Sequence, residues 1–268
     1  MSSIESALRR ERVIVVAALV ALTLIAWLYI WRGAGMGMTA LAMTTLALFP
    51  HLTPEPMPDM VMPPITWFNV VAMWWVMMIA MMTPSAAPLV LLYGRVMRHA
   101  TAQDKTAATY IPTAFLAAGY LLVWLLFSTV ATALQYALQR ADLISQMMLW
   151  SQSAALSAAV LAIAGLYQLS PLKHACLQHC RGPIQFLTQH MRKGNIGALL
   201  MGIEHGTWCV GCCWMLMTLL FVGGVMNLVW IALLALLVIV EKLTPSGVIA
   251  GRIVGAVLIA WSIATLAV

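Results

Sequence analysis

Long apolar stretches, separated by short polar or basic connections, set the pattern of this chain. Uncharged runs cover 19 residues from Val13 to Trp31, 34 between Lys105 and Arg140, 30 between Asp142 and Lys173, and 36 between Glu204 and Glu241. A helix rises about 1.5 Å per residue, so each run is long enough to cross a hydrocarbon core of about 30 Å. The last would measure about 54 Å as one helix. It must therefore hold two spans, with Gly223, Gly224 and Asn227 supplying the break. A further span opens near Thr66 and reaches Leu92 before Arg95 and Arg98. The pattern predicts an all-α, polytopic transmembrane helix bundle of about seven spans, at 13–31, 66–92, 107–139, 147–169, 196–222, 226–241 and 248–267.

Charge orients this bundle. Arg9, Arg10 and Arg12 precede the first span, which ends in the interfacial aromatics Trp27, Tyr29 and Trp31 and carries no small-residue cleavage site, so it reads as an uncleaved signal anchor. With the amino terminus cytoplasmic, 12 of the 14 Lys and Arg residues fall inside and only Arg32 and Arg140 outside. The segment 33–65, rich in Met and Pro, then lies on the outer face, and the Cys/His loop 170–195 on the cytoplasmic face. Residues 33–49 are too short and too interrupted by glycine for a clear span, and an interfacial or re-entrant helix is expected there. Composition agrees: 63% of the 268 residues are apolar and 8% charged, which excludes a soluble domain, a disordered chain and a nucleic-acid binder. The net charge of +6 is a topology signal, not an anionic-partner signal. The whole chain, 1–268, reads as one integral membrane domain whose neighbour is membrane lipid, in a bacterial inner membrane.

Candidate chemistry concentrates in the fifth span, M-G-I-E-H-G-T-W-C-V-G-C-C-W-M-L-M at 201–217. At about 100° per residue, His205, Cys209, Cys212 and Cys213 share an arc of about 100° on one helical face, with Glu204 on a neighbouring one. Three thiols and an imidazole so placed can converge on one ion, and an intramembrane charge marks a functional position. Buried cysteine is also an ordinary packing residue, and Gly202 with Gly206 also lets helices approach. The second span carries Met73, Met77 and Met81 at intervals of four, with Met78 and Met82 as a neighbouring stripe. Such stripes commonly fill cores, but counted inward from the span ends these methionines and the cysteines fall at similar mid-membrane depth. Pro84 leaves the Ala80 carbonyl without its helical partner. Between the fourth and fifth spans, P-L-K-H-A-C-L-Q-H-C-R-G-P at 171–183 sets Cys176 and Cys180 one turn apart, with His174 and His179 beside them. Outside, Met36, Met38, Met43, Met57, Met60, Met62 and His51 supply thioethers that cannot oxidise to disulfides.

Soft sulfur donors select Cu(I), zinc or iron–sulfur clusters, and the thioethers favour copper, as Cu(I), over zinc. No ferredoxin-type spacing and no paired Glu-x-x-His motif is present. The motifs M-M-I-A-M-M-T-P at 77–84, P-L-K-H-A-C-L-Q-H-C-R-G-P at 171–183 and G-I-E-H-G-T-W-C-V-G-C-C-W at 202–214 together resemble a bacterial family of predicted metal-binding integral membrane proteins, sometimes labelled copper chaperones. The resemblance covers about two thirds of the chain and implies metal binding. Two functions fit the residues. One is Cu(I) handling, by transport across the bilayer or delivery to a cuproenzyme, with outer methionines capturing the ion, the Met/Cys site holding it midway, and Cys176 and Cys180 exchanging it with the cytosol. The other is a membrane thiol–disulfide oxidoreductase using the Cys209/Cys212 pair in C-V-G-C. A non-catalytic subunit of a membrane copper enzyme is a third reading, and a copper-carrying chaperone, a cuproenzyme or further subunits are the expected partners. With no P-loop, a primary pump in one chain is not expected.

Overall fold

The computed structural model describes residues 3–37, 39–44, 66–101, 110–146 and 148–267. Ten helices follow in order among them: α1 (Ser3–Trp31), α2 (Trp67–Thr101), α3 (Tyr110–Arg140), α4 (Ala154–Leu169), α5 (Pro171–Arg181), α6 (Pro183–His190), α7 (Gly194–Thr218), α8 (Leu220–Gly223), α9 (Leu228–Leu243) and α10 (Gly247–Ala267). Five of them, α1, α2, α3, α7 and α10, are long and apolar enough to cross a membrane. The bent pair α4 and α5 raises the number to six if it counts as one span. Seven spans are expected from the sequence, and the difference lies in α4 and α9, whose 16 residues each cover about 24 Å, less than the bilayer core.

Local chemistry explains the breaks. Ser170 ends α4 and starts α5: its N–H bonds the Tyr167 carbonyl, its hydroxyl accepts from the Lys173 N–H at 3.2 Å, and Pro171 occupies the first helical position. The axes of α4 and α5 bend there by 63°. Gly224 adopts φ +97°, a left-handed conformation that favours glycine, and the Asn227 side chain caps α9 by accepting from the Val229 and Trp230 N–H groups. The break inside the 36-residue run thus falls on the residues that the sequence singles out. By contrast, α2 continues unbroken through Pro84 and Pro88.

Residues 33–44, where described, do not form the expected interfacial helix. Gly33, Gly35 and Gly37 take positive φ angles, and the chain turns back on the end of α1 through bonds such as Ala34 N–H to the Tyr29 carbonyl at 3.0 Å. Three glycines in five residues favour turns over helix. Met36 and Met43 are buried by this fold-back, and the Thr44 hydroxyl accepts from the Leu228 N–H at the start of α9. Met38, His51, Met57, Met60 and Met62 lie outside the described residues.

Glycines set the tightest helix contact. A Cβ on Gly119 of α3 would strike the Leu199 carbonyl, and one on Gly202 of α7 the Leu116 carbonyl, so the two backbones touch at a mutual glycine crossing. Gly165 of α4 and Gly255 of α10 meet in the same way, each with the other's carbonyl oxygen about 3 Å from where a Cβ would stand. Around these two crossings, α2 packs on α1, α3 and α9, while α5 packs on α7.

Candidate metal centre

The five cysteines are all free thiols, and four of them are buried together. On α7, Cys209, Cys212 and Cys213 face the interior, and the Sγ atoms of Cys212 and Cys213 lie 3.3 Å apart. α5 brings Cys180 to the same place, its Sγ 3.8 Å from that of Cys212. Cys180 therefore belongs to the α7 cluster and not to a separate cytoplasmic pair. Cys176, one turn earlier and half-buried, rests its sulfur on the α7 backbone, where a Cβ on Gly211 would come within 3.0 Å of it. Gly211 leaves room for that thiol, and its carbonyl accepts a hydrogen bond from the Tyr167 hydroxyl.

Each α7 thiol is engaged. Cys212 and Cys213 both donate to the Cys209 carbonyl, at 3.1 and 3.0 Å. Cys209 Sγ accepts from the Lys242 ammonium at 2.7 Å and lies 3.0 Å from the Tyr120 hydroxyl. Lys242, at the end of α9, also reaches the Ser85 hydroxyl at 3.4 Å, and Tyr120, on α3, also reaches the Met82 carbonyl at 3.3 Å. Sequence reasoning missed both residues. Lys242 reads as one more basic residue closing an apolar span, and Tyr120 as one more aromatic within an apolar span.

The methionine helix is reached through those two side chains. α2 and α7 do not pack along their lengths; α3 and α9 lie against both. Met73, Met77, Met78, Met81 and Met82 are nonetheless fully enclosed, not lipid-facing, and share one contiguous buried core with Cys180, Cys209, Cys212, Cys213, Met36 and Met43. Tyr120 ties the thiols to the α2 backbone at the Met82 carbonyl, not to its thioether.

Of the other expected donors, Glu204 and His179 stand apart, and His205 lies one turn from Cys209 on the buried face of α7. Glu204 is partly exposed and pairs with His190 at 3.2 Å and Arg192 at 3.4 Å. His179 stacks flat on Trp208, ring centroids 4.2 Å apart, with Nδ1 at 2.9 Å from the Ala175 carbonyl. His205 is buried between Tyr120 and Phe186, and its Nδ1 has no hydrogen-bond partner among the described residues. Among the described residues, no three His, Cys, Asp or Glu side chains stand ready-arranged around an ion position. The thiols instead satisfy one another, Lys242 and backbone carbonyls, so an arriving ion must exchange with these hydrogen bonds. For thiols that exchange is inexpensive, because S–H is a weak donor.

No curated protein and no solved structure matches the chain. A family model does: PpoB2, described as copper chaperone, matches residues 71–265, a stretch that holds the methionine helix, all five cysteines, Tyr120 and Lys242. That match takes in well over half of the sequence, and the chain belongs to the PpoB2 copper chaperone family.

Proposed function

We propose that the protein is an integral membrane copper chaperone whose cargo, Cu(I), is held within the helix bundle by the sulfurs of Cys180, Cys209, Cys212 and Cys213, two of them as thiolates, and exchanged with the thioethers of α2. The observation that carries this reading is the convergence of four buried thiols from two helices in one core with a run of five enclosed methionines. Thiolate and thioether together favour Cu(I), whereas zinc sites draw on thiolate, imidazole and carboxylate, and here Glu204 and His179 point their polar atoms elsewhere. Among the described residues, His205 is the imidazole on the same buried helix face as the α7 cysteines. Ligand exchange among sites of two or three soft donors keeps each step shallow enough for the ion to leave.

In this reading the outer methionines, with Met36 and Met43 leading inward, receive or release the ion on one side, Met73, Met77, Met78, Met81 and Met82 line its course, and Cys176 passes it to or from the cytosol. The positive-inside count supports a cytoplasmic amino terminus in a bacterial inner membrane, with the short α9 completing a seventh crossing inside the bundle. The ion then goes across the bilayer or on to a cuproenzyme partner.

Titration of the detergent-purified protein with Cu(I) against a competing chelator tests the site. Wild type is expected to hold copper that the Cys209→Ser, Cys212→Ser double variant releases. Undiminished binding by that variant refutes the reading.

A further inference from the structure

Two adjacent charges, Glu241 and Lys242, close α9, and both are buried. They turn to different partners. The Glu241 carboxylate takes the Lys173 ammonium at 2.6 Å and the Gln168 amide at 2.7 Å, and Lys173 also donates to Gln168, which closes a neutral cluster. Lys242 has no carboxylate among the described residues: its ammonium meets the Cys209 sulfur and the Ser85 hydroxyl. A cation taken out of water needs an anion or a set of acceptors, and the thiol cluster is the group that supplies one here.

We propose that Lys242 is the specificity-determining residue of the thiol site, a fixed positive charge that selects a monovalent soft cation over a divalent one. This rests on the reading that the thiols hold the cargo. For any given set of thiolates, an ammonium in contact with one of the sulfurs repels a doubly charged ion twice as strongly as a singly charged one. Two thiolates, one ammonium and one Cu(I) are neutral together, a condition that a low-dielectric interior favours. The same donors around a divalent ion keep an uncompensated positive charge. Tyr120 cannot do this, since its hydroxyl is neutral, and the Lys173–Glu241 pair contributes no net charge. Compared with a neutral side chain at the same place, Lys242 thus penalises zinc more than Cu(I), even though thiolates bind zinc well.

The test measures Ag(I), as a redox-inert stand-in for Cu(I), against Zn(II) on the full-length protein in detergent. Wild type is expected to take Ag(I) in preference to Zn(II), and wild type with equal preference for both overturns the proposal without any variant. Lys242→Met and Lys242→Gln are expected to shift the Zn(II) to Ag(I) affinity ratio toward zinc by about tenfold or more. Lys242→Arg, which keeps the charge, is expected to retain the wild-type ratio; a lysine acting only through its hydrogen bonds would instead leave the ratio of Lys242→Gln, which keeps a donor without the charge, at the wild-type value. An unchanged ratio in the neutral variants, or an arginine variant that shifts as far as they do, overturns the proposal while Ag(I) binding itself leaves the copper reading standing. Absence of Ag(I) binding by wild type removes both.

Discussion

At the scale of single residues, the thiols differ by what they face. Cys180 completes the buried cluster from a second helix, whereas Cys176 rests on the Gly211 backbone and is half-exposed. Replacing Cys180 by Ser is therefore expected to weaken Cu(I) binding by about tenfold, or ~1.4 kcal/mol, while Cys176→Ser leaves equilibrium affinity close to wild type and slows exchange with a soluble acceptor. Competition titrations and stopped-flow transfer measure the two effects, and equal loss of affinity in both variants would argue against this division of roles. That Cys209, Cys212 and Cys213 share one buried face of α7 was legible from spacing alone, through helical geometry. Cys180 as their neighbour was not: its distance from Cys212 depends on the 63° bend at Ser170, a tertiary fact that a helical wheel does not contain. Lys242 was illegible for a related reason. A basic residue at the end of an apolar run ordinarily snorkels to the interface, and only the packing of α9 against α2 and α7 shows that this one turns inward.

At the scale of elements, α3 and α7 form the scaffold on which the thiol site is mounted. Their approach rests on Gly119 and Gly202, where each missing Cβ makes room for a carbonyl of the other helix. Backbone cannot yield as a flexible side chain does, so Gly202→Ala is expected to cost about 1–3 kcal/mol. A lowered thermal transition in detergent would register that cost, together with weakened copper binding as Tyr120 is pushed away from Cys209. An alanine variant with unchanged stability would show that the crossing is looser than described. Apolar runs and glycine breaks located most helices from the sequence, because bilayer length and backbone satisfaction leave few alternatives. They failed at 33–44, where glycine-rich turns replace the expected helix, and at 147–153, where the Ser153-capped α4 begins only at Ala154.

At the scale of the whole molecule, the site is enclosed by helices distant in sequence, and two polar ties hold the assembly. One is the thiol–lysine–serine–tyrosine contact that links α7 with α2, α3 and α9. The other is the Lys173–Glu241–Gln168 cluster that links α5, α9 and α4. Breaking a buried pair strands a charge, so Glu241→Gln is expected to destabilise the protein by about 3–5 kcal/mol, seen as a lower unfolding midpoint. Replacing Lys173 by Met in the same chain should recover much of that loss, and failure of the double variant to recover any would mean that the pair is not the tie. The central claim is that sulfur atoms from more than one helix form the copper site. X-ray absorption at the copper edge, on wild-type protein loaded with Cu(I), tests it most directly. The account predicts a first coordination shell made of sulfur, depleted in Cys180→Ser as well as in the Cys209→Ser, Cys212→Ser variant. A shell of nitrogen and oxygen, or a sulfur shell indifferent to all three cysteines, would contradict it.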